Sequence, residues 1–391
     1  MMRRTLILTA GPLLILAVRL LLFLAVGLLL CACTPRQESL EDLGKRVFHL
    51  AETQLADMDK ALAPGQCPRS FAADTLQVSD IGWWCSGFYP GCLWLTYEYS
   101  GNVAIRDLAL KHTLPLEGLL ARHTDHDIGF QLMCSYGNML RLTGNGREVL
   151  EKGAEKLAAR FCPGAGILRS WDFGDWHIPV IIDNMMNLEL LTAFGDKALA
   201  EKHACTTAQN HFREDGTCFH LVDYADDGQV LGRQTVQGYA DSTAWARGQA
   251  WALYGFAMMA RDGNKDYLDV AVKLENWLLG YLPDDGIPFW DFSQSDYKDA
   301  SAAAIIACGL LELCEIRGDR PSSPSFRMAE KIVRTLASEP YLAAPGTNGG
   351  FLLKHSVGNL PAHSEVDVPL TYADYYFLKA VMRLANKAQM P

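Results

Sequence analysis

Two aspartates stand where apolar helical segments begin. Asp127 lies in His126-Asp127-Ile128-Gly129-Phe130, and Asp183 follows Val180-Ile181-Ile182. Carboxyls held in such places do proton-transfer chemistry when burial tunes their pKa. Tryptophans (Trp84, Trp176, Trp251), one guanidinium (Arg247) and His126 recur at neighbouring segment starts. Aromatic faces beside carboxylates suit the apolar face of a sugar ring. Arg247 has two readings, a bidentate partner for a substrate carboxylate or a structural partner for an aspartate. An Asp at a helix start is most often an N-cap, and this reading stands beside the catalytic one for Asp127. Asp183 is placed inside a segment that reads as buried, where a charge is rare unless paired or functional. His126 and His220 read equally as loop hydrogen-bonding groups. His123-Thr124-Asp125-His126 lacks a third ligand at helical spacing and no Cys-x-x-Cys exists, so no metal site is expected.

Helical periodicity dominates the elements that must position these residues. Helices are expected near 42–62, 87–99, 103–121, 127–143, 147–161, 180–194, 196–212, 243–261, 264–280, 298–316, 324–338 and 368–386. Strand signals are weak and sit in loops such as Cys218–Val222 and Val230–Gln234. Gly-Asn and Gly-Asp turns, as at Gly101-Asn102 and Gly195-Asp196, close many helices. Short turns join antiparallel neighbours. The even-numbered helices are the more apolar, and the odd ones carry more charge. Twelve helices alternating inner and outer predict an all-α fold, an (α/α)6 barrel of six helical hairpins; the rival is an irregular bundle or solenoid. In the barrel all inner helices start at one rim, fed by the longer loops 62–87, 162–180, 213–243, 281–298 and 339–368. Long loops on one rim make the binding face.

The net charge of −10 argues against nucleic acid. Arg3 and Arg4 precede an apolar run from Leu6 to Leu30 that ends in Leu30-Cys31-Ala32-Cys33. This pattern reads as an export signal at 1–33 with lipidation at Cys33. The competing reading, a membrane-spanning anchor, has Arg19 in its middle against it. The expected protein is a lipoprotein of a bacterial cell envelope, periplasmic or membrane-anchored, with a single domain at 34–391. Of eleven cysteines, two belong to the signal. Cys134, Cys308 and Cys314 sit in apolar helical stretches, where Cys behaves as a small hydrophobe, so few or no disulfides are expected.

Five strings carry a family resemblance: Trp84-Cys85-Ser86-Gly87-Phe88, His126–Phe130, Ile182–Asn187, the long run Gln237–Trp251, and Ser364–Tyr376. On these the chain resembles the unsaturated glucuronyl hydrolases, glycoside hydrolase family 88, over nearly all of 34–391. The resemblance implies the same barrel and a hydrolase without metal or cofactor. Its substrate would be an oligosaccharide released by a polysaccharide lyase and ending in an unsaturated uronic acid. It implies Asp183 as general acid/base and Asp127 as its assistant across the sugar. It places His220, Gln237, Trp245, Arg247, Gln249 and Trp251 in the pocket, with Trp84 and His126 at the edge. The expected chemistry is protonation at C4 of the C4=C5 double bond, then hydration at C5. Lys354, in Lys354-His355-Ser356-Val357-Gly358, is read as a contact to the next sugar or as a solvated loop residue. Rival functions are the sister activity on unsaturated galacturonyl-rhamnose of pectin, a non-catalytic sugar-binding lipoprotein, and a helical scaffold. Absent short repeats count against the last.

Overall fold

The computed structural model describes residues 37–387. The signal and Cys33 lie outside them. From Leu40 onward the chain is one compact unit. Its twelve helical segments are α1 (Leu40–Ala61), α2 (Phe88–Ser100), α3 (Val103–Thr113, prolonged by a 3-10 turn Leu114–Ala121), α4 (Ile128–Leu132, a π turn Met133–Gly137, and Asn138–Thr143), α5 (Arg147–Ala158), α6 (Asn184–Phe194), α7 (Lys197–Asn210), α8 (Ala246–Met259), α9 (Lys265–Tyr281), α10 (Ala300–Arg317), α11 (Pro324–Leu336) and α12 (Thr371–Lys387).

The alternation expected from the sequence is the observed one. The even helices pack in a ring, α2 on α4, α4 on α6, α6 on α8, α8 on α10, α10 on α12, and α12 back on α2. This closed inner ring with an outer partner for each member is an (α/α)6 barrel. Every residue of α8 is buried, as is α10 from Ala300 to Cys314, because these helices meet protein on all sides. Outer helices bury one stripe; α11 keeps Phe326, Ala329, Ile332, Val333 and Leu336 inside. Local signals set their starts. Asn102, Asp196, Asn264 and Ser323 cap α3, α7, α9 and α11 with their side chains.

The long loops before the inner helices hold the strands. β1 (Cys67–Ala72) pairs with β2 (Thr75–Ser79), and β3 (Phe161–Cys162) with β4 (Ile167–Leu168). β5 (Ile178–Ile181), β6 (Leu221–Tyr224) and β7 (Val230–Gln234) form an antiparallel sheet in that order. β8 (Ser356–Asn359) pairs with β9 (Ser364–Val368). This corrects one expected element: 180–194 is not helical throughout. Residues 178–181 are a buried strand against β6, in register Ile181↔Leu221, and α6 starts at Asn184. An apolar run of this length suits a buried strand as well as a buried helix. All nine cysteines among the described residues are free thiols.

The end of the barrel away from the strand-bearing loops is tied by charge. Glu312 of α10 bonds Arg261, just after α8, and Arg383 of α12, both at 2.6 Å. Arg261 also reaches Glu189 of α6 at 2.6 Å. Burial opposes the charge of Glu312, yet the two arginines hold its pKa at about 2. Removing one partner of a buried network strands the others. Glu312→Gln is therefore expected to lower stability by about 3 kcal/mol, read as a fall in the urea midpoint. An unchanged midpoint would show the network to be idle.

Candidate active site

Asp127 and Asp183 occupy the residue before α4 and α6 respectively, and neither side chain caps its helix. Both backbones are already helical there, with φ −69° and −53°. The capping reading fails for both. Asp183 is also not inside a helix, as the sequence had suggested, but in the two-residue joint between β5 and α6. That joint is held by Ile182 N donating to His220 O at 2.9 Å and by Ile181 N donating to Ser170 Oγ at 3.0 Å.

Asp183 is 8 % exposed. Burial is the largest influence on it and raises its pKa to about 7, against the pull of the Arg247 charge and the Trp251 indole N–H. The pKa of Asp127 is also held well above the usual carboxylate range, first by burial, then by the charges of Asp125 and Asp183.

Each carboxyl has a neutral imidazole beside it. His220 Nε2 stands 3.8 Å from Asp183 Oδ2, and His126 Nε2 stands 3.5 Å from Asp127 Oδ1. Burial drives both imidazoles to a pKa of about 3. The tautomer of His220 follows from its other nitrogen. Nδ1 accepts from the backbone N–H of Val236 at 3.0 Å and of Gln237 at 3.3 Å, so the proton is on Nε2, facing Asp183. His126 Nε2, His220 Nε2, Asp183 Oδ2 and Trp251 Nε1 make no hydrogen bond within the protein. Four unspent polar atoms in one buried place suit a ligand that spends them.

Other expected pocket residues are committed elsewhere. Both ends of the Gln249 amide hold the Cys218 peptide, Oε1 accepting from its N at 2.8 Å and Nε2 donating to its O at 3.1 Å. Gln249 therefore fixes the chain two residues before His220 and has no amide atom left for a sugar. Arg247 is 2 % exposed and takes the structural of its two readings. It pairs with Asp299 Oδ2 at 3.2 Å and donates to the carbonyls of Val357 and Gly358. Its guanidinium also lies on the Trp245 ring, 4.4 Å from the centroid. It thereby pins the β8–β9 hairpin to α8 and α10. Trp245 is buried and lies 4.5 Å from the His220 ring. Trp251 is wholly buried, with only its N–H turned to Asp183. Trp84 is half-buried against Phe88, Phe130 and Tyr372. Gln237 Nε2 makes one long bond, 3.4 Å, to Gly358 O. Lys354 does not reach this group by any bond; its Nζ pairs with Glu339 at 3.2 Å on the surface.

Sequence reasoning passed over Asp125, Asp299, Asn187 and Tyr372. It also gave no role to the stacked pair Trp171–Phe173, whose rings lie 5.1 Å apart at 11°. These two line a cleft of about 310 Å³ with His123, Asp125 and Gln131. Phe173 is 66 % exposed. The signal was present in Trp171-Asp172-Phe173-Gly174-Asp175-Trp176, aromatic residues within a loop that feeds the rim. Among the described residues, no group of His, Cys, Asp and Glu is placed to hold a metal ion.

None of the protein-family models compared matches the chain. An unsaturated glucuronyl hydrolase of Formosa agariphila is 36% identical over 380 residues, covering 91% of this chain and 94% of its own. An unsaturated chondroitin disaccharide hydrolase of Streptococcus pneumoniae is 31% identical over 369 residues, covering 88% and 92%. The crystal structure of an unsaturated glucuronyl hydrolase specific for heparin superposes with a TM-score of 0.86 at 42% identity, covering 90% of this chain and 99% of that one. A barrel that presents raised-pKa carboxyls at one rim, matched over about nine-tenths of the chain by such relatives, belongs to the unsaturated glucuronyl hydrolases.

Proposed function

We propose that this hydrolase removes the terminal 4,5-unsaturated glucuronic acid from lyase-generated glycosaminoglycan oligosaccharides, with Asp183 as proton donor. The observation that carries the assignment is the burial of the Asp183 carboxyl, which keeps it protonated up to about pH 7. In the C4=C5 vinyl ether, C4 is the basic carbon. Asp183 gives its proton to C4, and positive charge appears at C5, shared with the ring oxygen. The ionised Asp183 then takes a proton from a water that adds at C5. The hemiketal opens, and the sugar leaves as a keto-aldehyde. No displacement occurs at the anomeric carbon, so the spacing rule for paired glycosidase carboxyls has no bearing.

Asp127 faces the opposite side of the sugar. His220 and His126 present N–H donors without adding charge. Arg247, paired with Asp299 and stacked on Trp245, holds the β8–β9 hairpin in place rather than binding the uronate carboxylate itself. The Trp171–Phe173 face, in a cleft that also includes Asp125, is read as the seat of the leaving sugar. Glycosaminoglycan fragments are favoured over pectin because similar proteins are named for heparin and for chondroitin disaccharide. The N-terminal 33 residues are read as a lipoprotein signal that leaves Cys33 acylated and the enzyme on a bacterial envelope membrane.

Loss of the ultraviolet absorbance of unsaturated disaccharides measures the reaction directly. Asp183→Asn is expected to lower turnover about 1,000-fold while still binding substrate; full activity in that variant would remove Asp183 from the mechanism. A second outcome follows from linkage. The folded value of about 7 lies above the unfolded value of about 3.9. The folded state thus binds more protons between these values, and stability falls as pH rises through that window. Asp183→Asn is expected to raise the melting temperature more at pH 8 than at pH 4; an equal effect at both would contradict the raised pKa. For the anchor, Cys33→Ser should abolish incorporation of labelled fatty acid in a bacterial host, and undiminished labelling would refute it.

A further inference from the structure

Asp127 occupies the N-cap position of α4 without capping it, yet the N–H groups of a buried helix start need acceptors. The acceptor comes from the next inner helix. Asn187, one turn past Asp183 on α6 and wholly buried, takes the N–H of Phe130 on its Oδ1 at 2.7 Å. Phe130 is the third residue of α4, the one an N-cap side chain ordinarily serves. We propose that Asn187 is a positioning residue: it caps α4 from α6, which releases Asp127 to the pocket, and it fixes the proton of His126 on the nitrogen that faces Asp127. The proposal rests on the roles given above to Asp127 and Asp183.

The second half follows from the first. With Oδ1 committed to an N–H donor, the orientation of the amide is settled, and Nδ2 is the group 3.4 Å from His126 Nδ1. A donor at Nδ1 leaves the imidazole proton on Nε2, 3.5 Å from Asp127 Oδ1. The same amide also stabilises the ionised form of Asp127. One side chain therefore touches the α4 backbone, His126 and Asp127 while riding on the helix that Asp183 starts.

An independent feature shows how closely the two helix starts approach. A Cβ at Gly129 would stand 2.5 Å from Asn187 Oδ1 and 2.6 Å from its Cα. No side chain fits there unless α4 moves off α6. The spacing between the two aspartates is thus set by a glycine on one helix and an asparagine on the other. The charged and titratable groups around this point are Asp125 on the same loop, Arg160 after α5, Asp183 before α6, His203 on α7 and His220 before β6.

The test pairs kinetics with imidazole ¹⁵N NMR of the full chain labelled at histidine, His126 being assigned with His126→Gln. Wild type is expected to show His126 protonated at Nε2 and bare at Nδ1. In Asn187→Leu, kcat should fall about 100-fold with KM little changed, and the His126 signals should move toward a tautomer mixture. Gly129→Ala should lower kcat in the same way without removing a polar group. Protonation of wild-type His126 at Nδ1, or a wild-type kcat in folded Asn187→Leu, would overturn the proposal. Should Asn187→Leu not fold, the wild-type tautomer and Asn187→Ser decide in its place, a wild-type kcat in the latter counting against. An active Asp183→Asn would instead overturn the reading beneath it, so the two failures are distinguishable.

Discussion

The removal of water from one carboxyl organises this protein. An aspartate in solvent is ionised at neutral pH and has no proton to give. Asp183 has one because the ring of inner helices and the β5–β6 pair leave it 8 % exposed. Its nearest polar neighbours compensate only in part: His220 is neutral at 3.8 Å, and the Arg247 charge is already engaged by Asp299. A tighter ion pair with Arg247 would lower the pKa and end the donor role. The unfavourable burial of Asp183 is thus the functional feature, and the barrel must be stable enough to hold it.

That stability is distributed between the two ends of the ring. At one end, Glu312 with Arg261, Arg383 and Glu189 joins α6, α8, α10 and α12 by charge. At the site end the ties are mostly amide and backbone bonds. Gln249 grips Cys218, Asn187 grips Phe130, and Arg247 holds the carbonyls of β8. The two amide ties set the geometry of the pocket without adding charge beside the carboxyls, whereas the Arg247 charge is felt by Asp183. Backbone strain gathers in the same hairpin that Arg247 holds: His355, His363, Glu365 and Asp367 all have positive φ. Strain of this kind persists only where the surroundings over-determine it.

The helical layout was legible because periodicity and turn chemistry agreed at nearly every boundary. Asn102, Asp196 and Asn264 cap the helices that their turns foretold. The strand β5 was not legible, since Val180-Ile181-Ile182 carries the same pattern in either state. Asp127 and Asp183 stood out as charges at apolar helix starts, but the sequence did not show that neither caps its helix. Gln249 and Arg247 lay in a recognisable string, which marks a region and not a direction; their side chains turn to Cys218 and Asp299. Asn187 lay in the Ile182–Asn187 string, but nothing there marked its amide as the cap of another helix. Its importance depends on the approach of α4 to α6, and a linear pattern does not carry that distance.

The proton of Asp183 can be watched directly. With ¹³C in the aspartate carboxyls and Asp183→Asn to assign the signal, the carboxyl of Asp183 can be titrated by NMR in the substrate-free enzyme. A midpoint near pH 7 is expected. A midpoint in the ordinary range, about 4, would mean that Asp183 is ionised at working pH and that the proton for C4 comes from elsewhere.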